Sequence, residues 1–197
     1  TQFCAPFAAS NGAEGLFHSA TAHADLHPDQ VVLQLDFSNA FNRVCRKAMF
    51  RSLMEHPVLC GLVPFVRCFY LGAPSLWLAA EEDVTGTVLY ILSRTGSQQG
   101  CGHGPLLFAL PTQRIVEALR ERAGYTAFFL DDGTVITAAD AVPALLALVS
   151  EEAALIGGEL NISKCVAFNR DGILPEAVRQ AGVRCVDAST PVADRGI

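Results

Sequence analysis

Thr126-Ala-Phe-Phe-Leu-Asp-Asp-Gly-Thr-Val-Ile-Thr-Ala138 is the stretch from which the fold is read. Two apolar, β-prone arms, Thr126–Leu130 and Thr134–Ala138, flank Asp131, Asp132 and Gly133, and an Asp-Gly step between such arms predicts a hairpin with a two-residue turn. Both carboxylates are therefore expected at a hairpin tip. Upstream, Val31–Leu35 is an almost continuous apolar run ending on Asp36, the pattern of a buried strand with a carboxylate at its C-terminal end.

Working outward, a helix is expected over Ala13–Ala24, ending before Pro28, and another over Asn39–His56, stopped by Pro57. Leu59–Tyr70 reads as helix, and Ser75–Ala80 and Val84–Leu92 read as strands joined by the acidic turn Glu81, Glu82 and Asp83. After the polar, glycine-rich Ser93–Gly104, Pro105 suits the first turn of a helix running to Arg122. Val142, Leu145, Leu146, Val149, Ala153 and Ile156 recur at helical spacing up to Gly157 and Gly158, and Val166–Phe168 reads as a last strand. Beyond Asn169 the pattern fades. This order implies an α+β fold, an antiparallel sheet with helices packed on one face.

The chain, 197 residues long and half hydrophobic, can bury one sizeable core and is too apolar to be disordered. No run approaches the roughly 18 apolar residues of a membrane span, because Pro57, Pro64, Arg67 and Pro143 interrupt the richest regions, so no membrane partner is expected. The chain opens on Thr-Gln-Phe-Cys with no readable targeting peptide, as though cut from something longer. Its seven cysteines are widely spaced without a CxxC pair, which argues for a reducing, intracellular compartment rather than a disulfide framework or zinc module. A net charge of −6 speaks against a self-sufficient nucleic-acid binder.

Asp36, Asp131 and Asp132 carry the chemistry. Taken singly, an Asp ending a strand is commonly a turn or cap, and Asp-Asp-Gly is commonly just a turn. Brought together they repel, by roughly 4 kcal/mol for two charges about 4 Å apart at an effective dielectric near 20, and cations must offset this. Hard oxygen ligands of this kind suit Mg²⁺.

Four successive blocks resemble the reverse transcriptase family, with wording closest to non-LTR, LINE-like retrotransposon enzymes. Leu35-Asp-Phe-Ser-Asn-Ala-Phe41 is similar to the first catalytic block, and Gly96-Ser-Gln-Gln-Gly-Cys-Gly-His-Gly-Pro-Leu-Leu-Phe108 to the second. Phe129-Leu-Asp-Asp132 resembles the third and Gly158-Glu-Leu-Asn-Ile-Ser-Lys164 the fourth, with Gly12-Ala-Glu-Gly-Leu-Phe-His-Ser19 as an upstream element. The resemblance implies an RNA-directed DNA polymerase palm with a ferredoxin- or RRM-like core: 1–30 as partial fingers, 31–170 as palm, 171–197 as palm edge or the connection to an absent thumb. It implies two Mg²⁺ ions, with Mn²⁺ as a substitute, held by Asp36, Asp131 and Asp132, with Asp131 ranking above Asp132. It further implies Lys164 as proton donor to pyrophosphate, and Phe37, Phe41, Gln99 and Gly100 at the nucleotide, Phe41 as the steric gate under the sugar. The implied partners are an RNA template, a DNA primer, dNTP and the remaining fingers and thumb of a parent polyprotein. The implied location is nuclear for an active eukaryotic element. Departures are Asn42 where the family commonly has Asp, the Cys101-Gly-His103 insert and Pro111. The alternative is a decayed or domesticated palm that binds RNA or protein without polymerising.

Overall fold

A computed structural model describes residues 12–73, 75–78, 89–98 and 100–186. In chain order these form α1 (Gly12–Leu26), β1 (Val31–Leu35), α2 (Ala40–Arg43), α3 (Arg46–Glu55), α4 (Val63–Tyr70), β2 (Ser75–Leu78), β3 (Leu89–Leu92), α5 (Gly104–Arg120), β4 (Tyr125–Phe129), β5 (Asp132–Thr137), α6 (Val142–Leu155), β6 (Val166–Phe168), α7 (Glu176–Gln180) and β7 (Arg184–Cys185). The described residues up to Ala40 and from Thr112 onward make one compact unit, and those within Phe41–Pro111 make a second. Among the described residues no helix is long and apolar enough to cross a membrane.

The first unit is built on a five-stranded sheet in the order β4-β5-β1-β6-β7, antiparallel except for the parallel β6–β7 pair. Strand parity divides its faces. Val31, Leu33 and Leu35 of β1 and Val135 of β5 point one way and are buried. Each such side chain contributes about 1.5–3 kcal/mol relative to exposure. Ile115, Val116 and Leu119 of α5 and Leu145, Leu146, Val149 and Ala153 of α6 are further buried rows of this unit. Val32 and Ile136 point the other way and pack with Ala24 of α1, so the sheet carries a helix on this face as well. The α+β architecture expected from the pattern is thus present, with α1 as an addition to the single helical layer.

Local departures have local causes. The expected helix over Asn39–His56 is two helices, because the Val44 carbonyl accepts the Gly96 N–H at 2.9 Å instead of continuing the helical ladder, and Cys45 is extended. His56 ends α3 in an extended conformation, as the residue before Pro57 should. β2 and β3 pair as an antiparallel hairpin in the second unit, and the acidic turn Glu81–Asp83 lies outside the described residues. α6 starts with proline in its first turn and ends with Gly157 at φ +79°, its N–H on the Ala154 carbonyl. Beyond Asn169, where the pattern faded, α7 and the two-residue β7 complete the sheet.

The β4–β5 turn corrects the expected one. Phe129 pairs with Asp132, so the two turn residues are Leu130 and Asp131, and Asp-Gly lies two places later, with Gly133 inside β5 opposite Phe128. A Cβ on Gly133 would stand 2.7 Å from the Phe128 ring and 3.2 Å from the Leu35 Cβ, so glycine here makes room for an aromatic ring rather than for a turn. Gly133→Ala is expected to destabilise the fold by about 1–3 kcal/mol through this overpacking. Urea denaturation of wild type and variant checks it, and coincident midpoints would remove the explanation.

Candidate active site

β1 delivers Asp36 and β5 delivers Asp132, and the register between the two strands determines how they meet. Leu35 pairs with Gly133, so one further step of the same antiparallel register sets Asp36 opposite Asp132. Directly opposed residues have Cβ atoms about 4.5–5.5 Å apart. The charges agree with this. The Asp132 carboxyl is raised above the usual carboxylate range, first by partial desolvation, then by the negative charges of Asp131 and Asp36. Asp131 sits beside it at the turn, half-buried. Leu130 takes φ +59° to make that turn, a conformation that for a non-glycine residue costs on the order of 1–3 kcal/mol and persists only where the surroundings impose it.

By strand parity Asp36 and Asp132 share the face of Gln34, Thr134, Ala127 and Phe129. The helix α1 covers the Val32 and Ile136 end of that face, while Gln34 and Phe129 are exposed. The carboxylates therefore occupy the open end of a half-covered sheet.

Asp36 is held by its backbone. Its N–H points at the Cys165 Sγ at 3.5 Å and its carbonyl accepts the Asn161 N–H at 2.8 Å. The next residues continue the attachment, with Phe37 bridging Leu160 and the Ser38 N–H on the Glu159 carbonyl at 2.9 Å. Cys165 is buried, and burial pushes its thiol up, with the Asp36 N–H opposing and the Asp36 charge adding to the rise. It remains a thiol at neutral pH and donates to the Asn161 carbonyl at 3.4 Å. Lys164 belongs to the same short turn, Ile162–Lys164, with its side chain exposed and its N–H on the Asn161 carbonyl at 3.0 Å. Phe37 is half-buried, with its ring 6.4 Å from that of Phe128.

Phe41 and Gly100 belong to the second unit, and Gln99 lies outside the described residues. Phe41 is half-buried and stacks on Phe108, ring centroids 4.5 Å apart and planes 17° from parallel. Gly100 takes φ +82° with open space around it, so the requirement there is a left-handed backbone and not close packing.

Among the described residues no group of three or more His, Cys, Asp or Glu side chains is closed to metal-holding distance. The donor set nevertheless fits a hard divalent cation: the donors are all oxygen, they repel one another, and Asp132 is kept above its ordinary range by partial desolvation together with its two acidic neighbours. Mg²⁺ retains waters and takes one or two carboxylates with substrate phosphates, so it does not require a three-carboxylate cage formed in advance.

Three structural residues escaped the pattern reading. Arg46 falls at the buried spacing of Met49 and Leu53 in α3, and an arginine on an apolar stripe was the available signal. Tyr70 and Cys165 gave none, because their partners at Gln98 and Asp36 are distant in sequence.

The raised Asp132 carboxyl has a sign that can be measured. Folded protein retains this proton at pH values where the unfolded chain has lost it, so stability falls as pH rises from the unfolded value through the folded one, and the penalty is complete at neutral pH. Asp132→Asn, without added divalent cation, is therefore expected to melt above wild type at neutral pH and to converge with it under acid conditions where both side chains are neutral. Melting curves across pH decide it; a lower neutral-pH melting temperature for the variant contradicts the repulsion.

No curated protein sequence matches the chain. Among solved structures, an apo telomerase from Candida tropicalis truncated from its C-terminal domain is similar with a TM-score of 0.55 and 14% identity, over 82% of this chain and 35% of that one. A telomerase from Candida albicans in complex with a fragment of telomeric RNA is similar with a TM-score of 0.52 and 10% identity, over 82% of this chain and 31% of that one. At these identities the likeness is one of fold, and this chain spans about a third of either telomerase. The family described as reverse transcriptase (RNA-dependent DNA polymerase) matches residues 7–186. Over nearly its whole length, then, the chain belongs to the reverse transcriptase family.

Proposed function

We propose that this chain is the catalytic palm segment of an RNA-directed DNA polymerase, joining dNMP units to a primer 3′-hydroxyl on an RNA template. The observation that carries the reading is the convergence of Asp36 with the Asp131–Asp132 pair at an open sheet end, with the charges of Asp36 and Asp131 both acting on the Asp132 carboxyl. In the reaction the primer 3′-oxygen attacks the α-phosphorus of the dNTP, the bond to the bridging oxygen breaks, and pyrophosphate leaves. Asp36, Asp131 and Asp132 would hold the divalent cations, Mg²⁺ or Mn²⁺. When bound, these supply activation of the attacking hydroxyl and charge neutralisation of the leaving group. The main chain of Asp36 is held by the Asn161 N–H and the Cys165 thiol, which fixes the point from which its side chain starts. Lys164, exposed on that same turn, would give a proton from its Nζ to the departing pyrophosphate oxygen. Phe41, braced by Phe108, would stand under the sugar, and the loop through Gln99 and Gly100 would contact the base pair being formed.

The four motif blocks support a non-LTR retrotransposon as the source, which would bring the parent protein to the nucleus. Asp131→Asn in the longer parent protein is expected to lower primer extension by about a thousandfold or more while leaving RNA binding in place. Primer-extension kinetics with Mg²⁺ test this, and synthesis at the wild-type rate would sink the assignment. An unaltered parent that neither extends primers nor binds dNTP with Mg²⁺ would instead be a scaffold that holds RNA without polymerising.

A further inference from the structure

Residues 93–98, which lead into the glycine-rich loop, are joined to residues 41–46 from two sides. On one side the contact is backbone to backbone. The Gly96 N–H donates to the Val44 carbonyl at 2.9 Å, the Ser97 N–H to the Phe41 carbonyl at 2.8 Å, and the Thr95 hydroxyl to the Asn42 carbonyl at 2.9 Å. Gly96 has φ +74°, and a Cβ there would come within 2.5 Å of the Asn42 Cα, the Asn42 oxygen and the Phe41 oxygen, so the two chains touch where no side chain fits.

On the other side Arg46 closes the joint. Its Nε–H donates to the Gly96 carbonyl at 3.1 Å, Nη1 to the Gly72 carbonyl at 3.0 Å, and Nη2 to the Ser93 hydroxyl at 2.9 Å and the Thr95 carbonyl at 3.3 Å. The guanidinium lies 5.3 Å over the Tyr70 ring, and the Tyr70 hydroxyl accepts the Gln98 N–H at 3.1 Å. Arg46 is only 9% exposed, and its acceptors are carbonyl and hydroxyl oxygens, not carboxylates. A buried cation with no carboxylate partner among the described residues is a costly way to fill space. What it provides here is direction: a planar fork reaches four oxygens on two separated segments, which a lysine ammonium cannot do.

We propose that Arg46 is the positioning residue for nucleotide selection: it locks the segment 93–98, and with it the start of the Gly100 loop, in one register against Phe41, so that the loop and the sugar-sensing aromatic move as one piece. This rests on the polymerase reading given above. Phe41 is itself fixed by its stack on Phe108, so the spacing between gate and loop is set by the Gly96 contact and the Arg46 fork.

The test is steady-state extension by the longer parent protein with dNTP and with the matching ribonucleotide. Arg46→Lys is expected to raise KM for dNTP roughly ten- to a hundredfold with kcat within about threefold, and to narrow the preference for deoxy over ribo substrates. Tyr70→Phe, which removes only the hydroxyl under Gln98, is expected to shift both quantities the same way by less. A cavity of about 370 Å³ opens beside Arg46, walled in part by Tyr70, Gly72 and Arg94, so free guanidinium at sub-denaturing concentration is expected to restore dNTP KM in Arg46→Ala. A folded Arg46→Lys protein with wild-type KM and wild-type sugar preference overturns the proposal, even if it melts lower, because that is the behaviour of a strut. Should Arg46→Lys fail to fold, unchanged kinetics in Tyr70→Phe overturn it instead. If Asp131→Asn is inactive while these variants behave as wild type, this inference alone falls; if Asp131→Asn retains synthesis, the polymerase reading falls with it.

Discussion

The pairing of β1 with β5 is the constraint on which the rest depends. Five consecutive residue pairs, from Val31 with Thr137 to Leu35 with Gly133, fix a register whose next step opposes Asp36 to Asp132. Slipping that register by one residue would turn Val31, Leu33 and Leu35 out of the buried face, so the apolar core enforces the position of two carboxylates that repel each other. Hydrophobic burial of about 1.5–3 kcal/mol per side chain along this strand readily outweighs a screened repulsion at an open sheet end. Gly133 belongs to the same device, since its missing side chain lets Phe128 lie across the strand that carries Asp132.

Both units fix their chemistry-bearing segments through backbone dipoles. In the first, the Asn161–Cys165 turn takes the Asp36 N–H and supplies an N–H to its carbonyl. In the second, Arg46 gathers main-chain carbonyls around the approach to the glycine-rich loop. Among the described residues no salt bridge engages Asp36, Asp131 or Asp132. Their charge also bears on the chain's acidity. Between Phe41 and Ala73, Arg43, Arg46, Lys47, Arg51 and Arg67 stand against the single acid Glu55, so the negative excess is carried elsewhere, in part by the carboxylate end of the sheet.

The strand Val31–Leu35 was legible to the residue, because a short apolar run ending on Asp has few other uses. The arms of the β4–β5 hairpin were legible as well, but its turn was not. Asp-Gly is the commoner turn step, and only the packing of Phe128 over Gly133 moves the reversal back to Leu130 and Asp131. The break between α2 and α3 was hidden for the same kind of reason, a carbonyl at Val44 claimed by an N–H fifty-two positions away. α7 and β7 were invisible because two residues of strand carry no period.

By itself the sequence determined the element types, the apolar faces, and three acidic residues in motif blocks that mark the family, since periodicity and residue chemistry are local properties. Tertiary structure alone decided that Asp36 meets Asp132, that Cys165 and Asn161 hold its backbone, and that Arg46 reaches across to residues 93–96. The physical reason is that these are contacts between positions about 50 to 130 apart, and what brings them together is strand register and burial, which act on the folded chain as a whole.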